Sequence, residues 1–203
     1  MGERTIYFLF TDTGTYLSKM INLCTNQSLN HVSISFDPEL KEIYSFGRKQ
    51  PGNPFIGGFI REDPQGDFMK NSGSAIYSYT VSESDCDVII HHIKEIEAEK
   101  DAYKFNFIGL LGVLFQIEIN RRNALFCSQF VATVLRDLEN FQLPKPACFT
   151  TPADIRTHKG MQLIYQGKLC NYFVNTERKI MKHEEKRSLI LLLSAKVKRF
   201  VIK

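Results

Sequence analysis

The stretch Phe126-Cys-Ser-Gln-Phe-Val-Ala-Thr-Val-Leu135, continued to Leu138, constrains the fold more than any other part of the chain. Phe126, Phe130, Val134 and Leu138 recur every four residues, and Cys127, Val131 and Leu135 form a second series beside them. A helix here carries one broad apolar stripe, which has to be buried against another layer. Cys127 falls in the first turn, on the edge of that stripe. Unpaired backbone N–H groups and the positive end of the helix dipole favour a thiolate there, and the thiolate is the form that attacks carbonyl carbon. Against this stands the commoner fate of a single cysteine, a small core residue packed beside Phe126.

Strands supply the layer. Thr5–Phe10 is an apolar, β-rich run ended by Thr-Asp-Thr-Gly, and a helix is expected from Tyr16 to about Cys24. In Asn30-His-Val-Ser-Ile-Ser-Phe36, Val32, Ile34 and Phe36 alternate with His31, Ser33 and Ser35, the pattern of a strand with one apolar and one polar face. Asp37–Glu42 is a turn, Ile43–Phe46 is a strand ended by Gly47, and the two strands form a hairpin. Residues 51–73, rich in Gly, Pro and Asn, read as a long loop interrupted by Phe55-Ile-Gly-Gly-Phe-Ile60, suited to binding or to a plain surface excursion. Ser74–Val81 is a further strand. Ser84 is the expected cap of a helix running to about Lys100 with Val88, Ile89, Ile93 and Ile96 inward, and the apolar run Phe105–Ile119 is a core helix too short to span a bilayer. The Cys127 helix runs on until Leu143-Pro-Lys-Pro ends it. Thr150-Thr-Pro-Ala-Asp-Ile starts a short helix with Pro152 in its first turn, and Gln162–Gly167 and Tyr172–Val174 close the sheet.

With 16 Phe and 8 Tyr in 203 residues the chain can bury a full core and is most simply one domain. The five cysteines, Cys24, Cys86, Cys127, Cys148 and Cys170, are odd in number and widely spaced, which fits free thiols in a reducing cytoplasm better than disulfides or zinc. The five histidines make no metal spacing, and His91-His92 reads as a helix surface feature; no cofactor or metal is expected. Charge is unevenly placed. Residues 176–203 hold nine Lys/Arg against three Glu, leaving 17 Lys/Arg against 19 Asp/Glu in the other 175 residues. A near-neutral body argues against a nucleic-acid partner. The basic, partly apolar tail 176–203 suits a packed extension, a dimer contact or a peripheral contact with an anionic membrane. The first ten residues are too short and too soon polar for a signal peptide, and Ile6 breaks the myristoylation pattern, so a cytoplasmic location is expected.

A thiol nucleophile needs an imidazole within hydrogen-bond reach and an acceptor to orient that imidazole. His31 opens the polar-faced strand, and Tyr44 or Ser45 lies on its neighbour. Asn-His-Val-Ser-Ile-Ser at 30–35, Phe-Cys-Ser-Gln-Phe-Val at 126–131 and Thr-Thr-Pro-Ala-Asp-Ile at 150–155, in that order, resemble the circularly permuted papain-like cysteine hydrolases. These are relatives of the NlpC cell-wall peptidases and of lecithin:retinol acyltransferase, with the YiiX/YycO-like branch the nearest in motif. The likeness covers residues 5–175. It implies an α+β fold with an antiparallel sheet packed against helices, Cys127 as nucleophile at a helix amino terminus and His31 on the facing strand as base. The backbone N–H of Cys127 would meet the oxyanion, and Arg121, Arg122 and Asn123 lie near for a second donor. The third position of that family, a polar residue on the next strand, falls at Tyr44 by the hairpin register. A phenol there departs from the pattern, and Ser45, Glu62 or a water are substitutes. The expected reaction is cleavage of an amide or ester in a small peptide, amide or lipid-like substrate through a thioester. The alternative, drawn from Tyr44, is a degenerate papain-like module that binds a protein or membrane partner through the 51–73 loop and the tail. The resemblance leaves the substrate and the oligomeric state open.

Overall fold

The structure, a computed structural model, describes residues 2–12, 28–50, 53–106, 108–109, 112–113, 117, 123–176, 178 and 181. The chain divides into two compact units, Met1–Leu169 and Cys170–Lys203.

The first unit is α+β, built on six antiparallel strands: β1 (Glu3–Asp12), β2 (His31–Ser35), β3 (Ile43–Gln50), β4 (Asn53–Arg61), β5 (Gly73–Ser82) and β8 (Gln162–Lys168), in the order β4-β3-β2-β1-β5-β8. β1 is central because it is apolar on both faces. Ile6, Phe8 and Phe10 point one way and Leu9 the other, and all four are fully buried. The first face carries the main core, where Val32, Ile34, Tyr44 and Phe46 meet Phe130, Val131 and Val134. The reverse face is buried too, with Leu9 opposite Ile76 across β1 and β5, and Ile43 opposite Ser35 across β3 and β2. His31, Ser33 and Ser35 lie on this reverse face by the two-residue period of β2.

Residues 51–73 are not one long loop. Asn53–Arg61 is β4, paired with β3 from Tyr44↔Arg61 to Gln50↔Asn53, and β3 itself runs past Gly47. The glycines that suggest a loop serve a close approach instead. A Cβ at Gly57 would stand 2.5 Å from the Gly47 carbonyl oxygen and 2.7 Å from Phe105 Cβ, and one at Gly58 would stand 2.8 Å from the Tyr103 carbonyl oxygen. Among the described residues of that stretch, 62–72 lie outside strands and lead from β4 back into β5.

Helix α1 (Glu83–Ala98) starts one residue after its cap Ser82, whose hydroxyl accepts from Asp85 N; Ser84 is inside the helix. Cys86, Ile89, Ile93 and Ile96 are its buried face, and Val88 is 38% exposed rather than inward, one position off that face. β6 (Lys104–Phe105) pairs in parallel with β7 (Ala124–Leu125), and Asn106 N donates to the Leu125 carbonyl. Asn123 enters β7 at φ 54°, a left-handed conformation that Asn tolerates. Phe105 is therefore strand, and most of the core helix expected over 105–119 lies outside the described residues, as does the expected helix at 16–24; Ile108 and Ile117 are exposed.

β7 delivers the chain to α2 (Cys127–Val134), whose cap is Phe126. Phe130 packs against Phe46 and Phe59 at ring separations of 5.3 and 5.8 Å. The helix closes at Leu135, earlier than Leu143-Pro suggests, and in the irregular stretch that follows the side chains of Leu138 and Phe141 are still buried. A 3-10 turn (Ala147–Phe149) precedes α3 (Pro152–Arg156), capped by the reciprocal pair Thr151–Asp154 with Pro152 in its first turn.

In the second unit residues 170–176 are helical, so the closing strand expected at Tyr172–Val174 does not form there; the Thr176 hydroxyl donates to the Tyr172 carbonyl. Beyond Thr176 only 178 and 181 are described. No helix among the described residues is long and apolar enough to cross a membrane.

Candidate functional site

Three elements meet at the carboxyl end of β7. α2 brings Cys127 in its first position, where the thiol is 7% exposed and lies 3.9 Å from the Asn30 carbonyl oxygen, to which it donates. β2 brings His31 next in sequence. The turn that follows β4 brings Glu62, whose backbone N–H donates to the Ile43 carbonyl and so fixes where the carboxylate starts.

His31 Nε2 lies 2.6 Å from Glu62 Oε1, and the two side chains are 15% and 6% exposed. The Ser33 hydroxyl donates to Glu62 Oε2. The oxygens of Ser33 and Ser45 each stand 3.4 Å from His31 Nε2, and the Ser45 hydroxyl donates to the Val32 carbonyl at 2.8 Å. The Cys127 sulfur lies close enough to the His31 ring to act on its charge. Burial, the largest single influence on the ring, opposes its charge. The Glu62 carboxylate and the Cys127 sulfur, by charge and by hydrogen bond, outweigh it and raise the His31 pKa well above its ordinary value. Both partners therefore favour the protonated ring.

Cys127 and His31, both singled out in the sequence, lie close enough for the sulfur to influence the ring. Tyr44 is elsewhere. It sits opposite Ile34, so its ring belongs to the main core with Phe36 and Phe59, while His31 belongs to the reverse face. Its hydroxyl donates to Glu42 Oε2 at 3.0 Å, Arg61 lies over its ring, and burial followed by that hydrogen bond pushes its pKa up to about 12. The partner of His31 is Glu62. Residues facing His31 from β3 must be odd-numbered in this register, which admits Ser45 and excludes Tyr44. Glu62 becomes legible only once β4 is recognised as a strand. Thr11, directly across from His31 on β1, was missed altogether; its hydroxyl is fully buried and makes no hydrogen bond among the described residues.

Of the other residues singled out, Arg121 and Arg122 lie outside the described residues, and Asn123 is neither the cap of α2 nor part of it. His91 is on the surface, but His92 is largely buried, with Nδ1 3.2 Å from the Val134 carbonyl oxygen and Nε2 3.2 Å from Asp137. Cys86, Cys127, Cys148 and Cys170 are free thiols. Among the described residues no cluster of His, Cys, Asp and Glu could hold a metal ion. Comparison with family models, with curated proteins and with solved structures gives no match to this chain.

Proposed function

We propose that the chain is a cysteine hydrolase or acyl-transfer enzyme of circularly permuted papain-like design, with Cys127 as nucleophile, His31 as base and Glu62 as the residue that orients His31. The single observation that carries this reading is the buried His31–Glu62 pair set beside Cys127, where both the carboxylate and the sulfur favour the charged imidazole. A buried His–Glu pair can serve structure alone, but a thiol on the imidazole's other side, at the head of a helix, is the arrangement that activates sulfur.

With Nε2 committed to Glu62, Nδ1 is the ring nitrogen left for the thiol. The proton on Nδ1 is the one Cys127 gives up, so the pair stands as thiolate and imidazolium, and the thiolate attacks the carbonyl carbon of an amide or ester. The oxyanion forms near the first backbone N–H groups of α2, which have no acceptor within the helix. His31 gives its proton to the departing amine or alcohol as the carbon–heteroatom bond breaks, leaving a thioester on Cys127. Water, or an acceptor amine or alcohol, then loses a proton to His31 and attacks the thioester. The carbon–sulfur bond breaks, and the sulfur leaves as thiolate beside the charged imidazole. A non-catalytic binding module draws its support from Tyr44 in the third position, and Glu62 removes that support.

The test is a burst experiment with p-nitrophenyl acetate. One equivalent of nitrophenolate per chain should appear ahead of the steady state, with one acetyl group found by mass spectrometry on Cys127. The Cys127→Ala chain should show neither, and acetylation spread over all the thiols at similar rates would refute the reading.

A further inference from the structure

Ser33 and Ser45 are fully buried on the reverse face of the sheet, in a layer they share with the apolar Leu9, Ile43 and Ile76 and the polar Thr11 and Ser35. Two hydroxyls there cost free energy unless their hydrogen bonds are made. Both are made, and the direction of each matters. A hydroxyl has one proton and two lone pairs. The Ser33 proton goes to Glu62 Oε2 and the Ser45 proton to the Val32 carbonyl, so each oxygen can offer His31 Nε2 only a lone pair. Glu62 Oε1 is likewise an acceptor. Nε2 thus faces three acceptor oxygens and no donor, at 2.6, 3.4 and 3.4 Å.

Resting on the catalytic reading of Cys127 and His31, we propose that Ser33 and Ser45 are positioning residues, completing with Glu62 a three-oxygen cradle that holds a proton on His31 Nε2 and leaves Nδ1 to serve the thiol. In the other tautomer the Nε2 lone pair would confront three oxygen lone pairs, a repulsion with no relief in a buried site. The backbone prepares the cradle. Ser33 is two residues from His31 on one face of β2, and the β2–β3 register sets Ser45 on the same face. Gly47, which that register carries opposite His31, leaves the ring its space: a Cβ there would lie 3.7 Å from His31 Cε1 and 2.8 Å from Ile60 Cδ1. The charged or titratable partners of the ring are Glu62 and Cys127, so the serines add orientation and dipole without adding charge. Ser33 has a second task, since it fixes the free oxygen of Glu62 and keeps the carboxylate from turning away.

The test uses the full chain labelled with 15N-histidine, followed by NMR between about pH 5 and 9, the range in which imidazoles titrate. In the wild type, His31 should pass from the doubly protonated ring to the Nε2–H tautomer only. In Ser45→Ala, and more in the Ser33→Ala/Ser45→Ala chain, its midpoint should fall by about half a pH unit or more. The Nδ1–H tautomer should appear in the double variant. Ser45→Thr, which keeps the hydroxyl, should return the wild-type midpoint. A purely structural role would lower the melting temperature of the alanine chains and leave midpoint and tautomer where they are, and that result overturns the proposal. Should the double variant not fold, the single variants carry the same decision. The spectra need no turnover, so a failed acetyl burst would strike the catalytic reading while the cradle is judged separately.

Discussion

At His31 the deciding atom is Nε2, because whatever holds it determines which nitrogen reaches the sulfur. Glu62 holds it at 2.6 Å, and Tyr44 points into the main core. Glu62→Gln should therefore slow acylation of Cys127 by roughly 10-fold or more, because an amide orients the ring but does not stabilise its charge. Tyr44→Phe, which removes only the Glu42 hydrogen bond, should leave the rate within about twofold of the wild type. Stopped-flow measurement of the nitrophenolate burst in the two variants checks both. The sequence made Cys127 and His31 legible because each is announced by local periodicity, one by a helical stripe and one by a two-residue alternation. The acceptor was hidden because it depends on parity across a hairpin. A shift of one residue in register moves every side chain to the other face, and the six-residue turn at 37–42 does not reveal the register.

Among the elements, α2 carries the site, and Phe130 anchors it between Phe46 and Phe59. Phe130→Ala should cost about 3–5 kcal/mol in urea unfolding, whereas Val88→Ala, at a 38% exposed position of α1, should cost under about 1 kcal/mol. Helix α2 was legible from its stripe and α3 from its capping box, both local signals. β4 was not legible. Its Gly57-Gly58 pair resembles turn punctuation and answers instead to the chain at Tyr103–Phe105, almost fifty residues away, a constraint that exists only in the folded molecule. The same holds for Phe105, whose apolar neighbours suggest a helix while its backbone is drawn into a ladder with Leu125. Gly57→Ala should expel that segment from β4 and lower the melting temperature, since its Cβ would meet backbone oxygen at 2.5 Å.

For the molecule as a whole, two imidazoles set opposite pH dependences. His158 is stacked on Phe141 at 4.0 Å with its Nδ1 buried and without a partner among the described residues, and burial lowers its pKa below 6.5. The stability it contributes is present above the ordinary histidine value and is lost as the pH falls through the lowered one. His31, with a raised pKa, contributes stability that is present below its ordinary value and is lost as the pH rises through the raised one. Melting curves should thus show a loss of stability on the acid side that His158→Phe reduces, and a loss on the alkaline side that His31→Asn reduces.

Activation of Cys127 by His31 is read out by the rate of iodoacetamide alkylation at each thiol, followed by peptide mass mapping near neutral pH. Cys127 should react at least about 10-fold faster than Cys148 and Cys170 although it is the more buried, and His31→Asn should abolish that advantage. Equal rates at the three thiols, or an advantage that survives His31→Asn, would contradict that activation.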